Sequence, residues 1–215
     1  MGYPPLWRLL AVRYIMTDRP INAPGFQPVV GPAATWLGDT AWVLRVPNPA
    51  PWAWVVPLAL KVPDEQIDPT VLSPGFDAGR IVLVSTDAPF GTTTIPPLLP
   101  PALAPPVPIK VSERQPGVYV LTIDSLRTDA VLVVSENWLP TWTARVDGRP
   151  APVARADGTF IAVPVSARSK EVVLEIQSRA EPRGRAASLA GFAGLLLLGL
   201  AGIRRKPMPP AAQAA

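Results

Sequence analysis

The run WTARVDGRPAPVARADGTFIAV, residues 142–163, decides the fold. Trp142, Ala144 and Val146 alternate with Thr143 and Arg145, the two-residue period of a half-buried strand. Asp147-Gly148 then supplies a tight hairpin turn, because glycine takes the positive φ of such turns without a Cβ penalty. Residues 152–155 run back, Asp157-Gly158 turns a second time, and residues 159–163 follow. Further on, Val172, Leu174 and Ile176 alternate with Val173, Glu175 and Gln177. Two Asp-Gly turns between alternating strands predict an antiparallel meander. Upstream, residues 118–124 and 130–136 are apolar and β-branched, the second densely enough to be buried on both faces. The chain therefore reads as mainly β, with a meander-rich antiparallel β-sandwich over residues 109–180.

Residues 1–95 form a β-rich N-terminal segment with strand-like stretches at 9–16, 41–46, 52–60 and 80–85. Five of the seven tryptophans lie there: Trp7, Trp36, Trp42, Trp52 and Trp54. The next thirteen residues, 96–108, read PPLLPPALAPPVP and contain seven prolines. As polyproline II they would reach about 40 Å. A semi-rigid linker, or a segment draped over a sheet, is favoured over a ligand for an aromatic groove.

Proline is 30 of 215 residues, about 14% against an average near 5%. Adding 15 glycines gives 45 of 215, about 21%, short of the roughly 25–30% of low-complexity disorder. An ordered chain of short strands and turns follows. Long soluble helices do not, since each interior proline costs a helix about 3 kcal/mol. The chain has no His and no Cys, which excludes disulfides, thiolate metal sites, Cys nucleophiles and His general bases. No phosphate loop, dinucleotide fingerprint or metal-ligand spacing occurs, so no cofactor is expected.

Hydrophobic residues are 48% and charged residues 17%, the latter below the roughly 25% of soluble domains, and mean hydropathy is +0.25. These values point to a membrane. The candidate span is residues 186–203, AASLAGFAGLLLLGLAGI, whose 18 residues would cover about 27 Å as a helix. Six Leu, one Phe and one Ile favour insertion by about 4 kcal/mol in total, a marginal value that calls for neighbouring helices. Ala187/Gly191 and Ala190/Gly194 have the small-xxx-small spacing of close helix contacts, although Ala and Gly are also simply common here. A buried soluble helix is the alternative, but Arg183 and Arg185 before the run and Arg204, Arg205 and Lys206 after it favour a span.

Charge does not settle the orientation: five cations precede the run within twenty residues and three follow it, yet folded domains translocate largely regardless of charge. Arg8 and Arg13 interrupt the apolar start, leaving no signal-peptide core. An extracytoplasmic main domain would then belong to a longer polypeptide. The tail, 204–215, is briefly basic and then Pro/Ala-rich.

Lys+Arg 20 against Asp+Glu 16 leaves 20 − 16 = +4. The only tight cationic cluster is Arg204-Arg205-Lys206, which suits anionic headgroups at about 1 kcal/mol per cation, so nucleic acid is not an expected partner. Carboxylate pairs Asp64/Glu65 and Asp124/Asp129 lack an aromatic or Gly-rich setting that would tune a pKa, and read as strand ends or caps. Asp147, Gly148, Asp157 and Gly158 are accounted for by turns. Trp138-Leu139-Pro140-Thr141-Trp142, preceded by Glu136, is the one candidate carbohydrate contact: two indoles flanking a proline can stack a sugar ring. The competing reading puts Trp142 in the core and Trp138 over a sheet edge.

Residues 133–142, VVSENWLPTW, with 144–148, ARVDG, resemble the "LSE-x-YYPGW-x-A-x-VDG" signature of YfhO-like bacterial membrane proteins. The similarity extends through Pro152-Val153, residues 155–158, Phe160 and residues 162–165. LLAVRYIMTDRP (9–20) is similar to that family's "LLGVRYVLTDRP", residues 46–56 to its "NPNALPRAYLV", and Phe76-Asp77 with 80–83 to its "FDPRREVVLE". Such proteins are much longer and are thought to have a GT-C-type architecture that moves sugars from polyprenyl-phosphate donors to envelope polymers. Thr141 replaces the usual Gly of the "PGW" turn, the "Y-x-P" element is missing at 177–183, and nothing corresponds to the family's acidic catalytic residues.

The resemblance implies a non-catalytic, C-terminal extracytoplasmic domain with the last membrane helix and a cytoplasmic tail. Implied partners are the bilayer, other transmembrane helices and an envelope glycan or polyprenyl-linked sugar. An alternative is a surface-anchored carbohydrate- or protein-binding sandwich, because Glu181-Pro182, the apolar run and Arg204-Arg205-Lys206 are similar to a PEP-CTERM sorting signal.

Overall fold

A computed structural model of the chain describes residues 9–22, 24–47, 49–101, 109–177 and 180–204. Its centre is a six-stranded sheet built from β4 (Ala53–Val56), β5 (Leu58–Val62), β6 (Ile81–Ser85), β9 (Ala130–Val134), β12 (Ala154–Ala156) and β13 (Phe160–Val165). The strand order is β4-β9-β13-β12-β6-β5. Only Pro57 separates β4 from β5, yet these are the two outer strands. Two residues of chain reach about 7 Å, so the sheet curls until its edges meet at Pro57. The expected single strand over 52–60 is thus broken where proline lacks a ladder donor.

All five residues of β9 are buried, and the two-residue period divides them cleanly. Val131 and Val133 join Trp54, Val56, Leu83, Phe160 and Ala162 in one core. Ala130, Leu132 and Val134 join Val55, Ile161 and Val163 in the other. The first core also takes Ile67 and Val71, one turn apart on the short helix α1 (Asp64–Val71) that crosses from β5 to its parallel neighbour β6. No helix was expected in this segment. At eight residues, with Pro69 inside it, α1 is too short to give a periodic signal.

The second core is shared with a five-stranded antiparallel sheet of β7 (Ile109–Gln115), β8 (Val118–Ile123), β10 (Trp142–Val146), β11 (Arg149–Ala151) and β14 (Glu171–Ile176). Its order is β11-β10-β14-β8-β7. Tyr119, Leu121, Trp142, Ala144, Val172 and Leu174 face the six-stranded sheet across this core. Two sheets stacked face to face are a sandwich, but it differs from the expected one in two ways. Strands β4, β5 and β6 of the N-terminal segment belong to it, so the sandwich is wider than 109–180. The meander is also split: β10–β11 lies in one sheet and β12–β13 in the other, where β12 pairs with β6. The crossing follows Ala151 through Pro152-Val153, and Pro150 sits on β11, an edge strand that tolerates a missing N–H.

A three-stranded antiparallel sheet of β1 (Tyr14–Thr17), β2 (Gln27–Ala34) and β3 (Thr40–Arg45) forms an arm, in the order β1-β3-β2. Of the proline-rich segment, residues 102–108 lie outside the described residues. The part before them is draped, with the Arg80 guanidinium donating to the carbonyls of Leu99 (3.1 Å) and Pro100 (2.9 Å).

Residues up to 176 make one compact unit, and the chain beyond makes a second. The second holds α2 (Ala180–Arg204), 25 residues long. Its described side chains, 184–200, are exposed save for Gly194, which is half-buried. Among the described residues no helix is long and apolar enough to cross a membrane. Side chains at 201–203, the end of the expected span, lie outside that description, as do Arg205 and Lys206 entirely; Arg204 closes the helix.

Candidate functional site

The motif around Glu136 leaves β9 and enters β10 through a tightly bonded loop. Ser135 N–H donates to the Trp52 carbonyl (2.8 Å), Trp138 N–H to the Thr159 carbonyl (2.7 Å), and the Trp142 indole N–H to the Asn137 carbonyl (3.0 Å). The loop is held on three sides, which fixes where its side chains point.

Trp142 is only 6% exposed, and its ring stacks on Tyr119 with centroids 5.5 Å apart and an interplanar angle of 28°. Tyr119 in turn meets Trp52 edge-on at 5.0 Å. With one face on Tyr119 and the rest in the core, Trp142 has no open face for a sugar, in line with the core reading weighed against a two-indole platform. Trp138 is half-buried against the same core and keeps an exposed part. Glu136, also half-buried, accepts the Tyr119 hydroxyl at 2.8 Å through Oε2.

Three residues that sequence reading left out complete the cluster: Tyr119, Trp52 and Arg114. The exposed Arg114 guanidinium lies 4.5 Å from the centroid of the Trp52 ring, a cation–π contact. Burial pushes the Tyr119 hydroxyl above its usual pKa, and the Glu136 carboxylate beside it adds to the rise, with Arg114 opposing. The phenol therefore stays a neutral donor. A carboxylate, a phenol, a guanidinium and a partly open indole can bind and orient a polyhydroxylated ligand.

Three of the other candidate carboxylates, Asp64, Asp124 and Asp129, have structural partners. Asp64 pairs with Arg155 at 2.8 Å, Asp124 lies 3.8 Å from Lys110, and Asp129 accepts the Ala167 N–H at 3.0 Å. Among the described residues no group of three His, Cys, Asp or Glu side chains is placed to hold a metal.

The Asp-Gly turns hold a surprise. Asp147 is exposed, and its Oδ1 accepts two backbone N–H groups, from Lys170 and Glu171, each at 2.9 Å. Those bonds hold its carboxyl below the ordinary range. Asp157 is 5% exposed and sits against β6, where Oδ1 accepts the Leu83 N–H at 2.8 Å and its own N–H donates to the Leu83 carbonyl at 2.9 Å. Its Oδ2 is buried with no hydrogen-bond partner, and burial pushes its pKa from 3.8 up to about 7, the Leu83 bond opposing. The carboxyl clamps the turn to the sheet rather than merely closing it.

No protein-family model matches this chain, and neither does any curated protein or solved structure.

Proposed function

We propose that this chain is the non-catalytic C-terminal domain and last membrane helix of a YfhO-like bacterial membrane protein. In this reading residues 186–203 span the cytoplasmic membrane, the β-rich unit is extracytoplasmic, and Arg204–Lys206 meet anionic headgroups on the cytoplasmic side. The domain supports transfer of sugars from polyprenyl-phosphate donors to envelope polymers by holding a glycan at Glu136 and Trp138, beside Arg114 and Trp52.

The observation that carries this reading is the bare apolar helix. Leu189, Phe192, Leu195 and Leu197 are between 62% and 69% exposed and Leu198 72%, a density of exposed large apolar side chains that water does not tolerate. A Cβ built on Gly191, Gly194 or Gly199 meets nothing within 4 Å, which leaves room for the close approach of other helices. The motif order from residue 9 to 165 favours the family over a generic anchor.

Protease added to sealed vesicles of each orientation tests the topology. Cleavage within residues 109–178 is expected only from the extracytoplasmic face, and cleavage from the cytoplasmic face alone rules the reading out. A mature form cut near Glu181 would instead favour the sorting-signal alternative.

A further inference from the structure

The hairpin that joins β2 to β3 is built to present rather than to pack. Between Gln27 and Thr40 every residue is exposed except Ala33 and Thr35, which are half-buried, and Asp39 is the only charged side chain. Its root is fixed, with Leu44 and Val46 buried on β3 and just after it. Its tip is fixed too. Thr35 N–H donates to the Asp39 carbonyl at 2.7 Å, Gly38 N–H donates to the Thr35 carbonyl at 3.0 Å, and Gly38 takes the positive φ (+87°) that closes the turn. That geometry holds Trp36 at 92% exposure and Leu37 at 67% at the far end of a strand about 26 Å long.

Solvated β-edges normally carry Lys or Glu, whereas β2 carries exposed Val29 and Val30, and the turn beyond it carries Trp36 and Leu37. A protein strand adding to the β2 edge is disfavoured, because Pro28 and Pro32 remove edge donors and the β2–β3 register shifts twice. Tryptophan beside leucine on an uncharged turn has the chemistry of the membrane interface, where an apolar ring buries its body and leaves its N–H to the headgroups.

We propose that the β2–β3 tip is a lipid-contacting finger that seats Trp36 and Leu37 in the interfacial region of a bilayer. The inference rests on the membrane-bound reading above for bringing the chain to lipid. Because the tip carries no cation, the contact is apolar and independent of anionic lipid and of salt.

The test uses the full chain reconstituted into phosphatidylcholine vesicles, with and without lipid brominated high on the acyl chain. Trp36 emission is isolated as wild type minus Trp36→Phe, a replacement at an exposed position that the fold tolerates. The expected result is a blue-shifted component that bromolipid quenches about twofold or more, unchanged at high salt. Leu37→Ser should weaken the quenching without altering the circular dichroism. Trp36 emission that bromolipid leaves unquenched and aqueous acrylamide quenches fully overturns the inference. Carbonate extraction of the same vesicles reports separately on α2: loss of the chain on extraction sinks the anchor reading, while Trp36 quenching is still read on whatever protein binds.

Discussion

The two Asp-Gly turns share a dipeptide and a backbone, yet their carboxyls behave in opposite ways. Asp147 and Asp157 have φ of 50° and 48°, and Gly148 and Gly158 have 77° and 84°. Each aspartate also does the same work, reaching across to backbone N–H groups of a neighbouring strand and donating its own N–H to that strand. The difference lies in what surrounds the bond. Asp147 meets β14 at the solvent edge and is held as a carboxylate by two donors, whereas Asp157 meets β6 inside, with one donor and an orphaned oxygen. Turn conformation is local, but the titration of a turn residue is set by the tertiary layer it enters.

The largest expected effect comes from Asp157. Its folded pKa of about 7 lies above its unfolded value of 3.8, so the folded state holds the proton longer. Stability is then highest below about pH 4 on this account, and falls as pH rises to about 7. Above that both states are ionised and the loss is complete. At about 1.4 kcal/mol per pH unit the total is about 4 kcal/mol, an upper figure for a group this buried. Urea unfolding at pH 5 and pH 8 should show it, and Asp157→Asn should flatten the profile, since Asn still accepts from Leu83 and tolerates positive φ. A variant whose slope equals the wild type's would place the titration elsewhere.

Next in size is the contrast between the two glycines. Gly148 has open space where a Cβ would go, so Gly148→Ala should cost only the strain of its positive φ, about 1 kcal/mol. A Cβ on Gly158 would come within 2.5 Å of Asp68 Oδ1 and must displace that carboxylate from its place beside the turn. Gly158→Ala should therefore cost about 2 kcal/mol, since Asp68 is exposed and can swing away. Removing the carboxylate in Asp68→Ala/Gly158→Ala should bring the cost back to that of Gly148→Ala. Thermal unfolding of the four proteins closes this cycle.

What was legible from residues alone follows the same division. Turns were readable because only Gly, Asn and Asp enter positive φ cheaply, and β9 was readable because an unbroken AVLVV run fits only a strand covered on both faces. Sheet membership was not. Asp157 bonds to Leu83, 74 residues earlier, and no local pattern encodes that partner. For the same reason Glu136 and Trp138 stood out as a motif while Tyr119, Trp52 and Arg114, which shape their setting, did not. These three come from β8, the approach to β4, and β7, and only the stacking of two sheets gathers them. The exception is Pro57: it sits in plain view in the run 52–60, and its missing donor explains the break between β4 and β5.

The smallest effect belongs to Asp147, and it sharpens the comparison because its sign is reversed. Its folded pKa is lowered by the Lys170 and Glu171 N–H groups, so its contribution is present above the unfolded value of 3.8 and is lost as pH falls through the folded one. The site is exposed, so water and salt screen most of the gain. Asp147→Asn keeps an acceptor oxygen and a tolerance for positive φ but loses the charge, and should cost about 0.5 kcal/mol near neutral pH. Asp147→Ala loses the acceptor as well and should cost about 1 kcal/mol. Both differences should shrink in acid, where the wild-type carboxylate is itself neutral. The pH slope of wild type minus Asp147→Asn should thus run opposite to that of wild type minus Asp157→Asn, and two slopes of the same sign would mean that the burial of these carboxyls does not govern them.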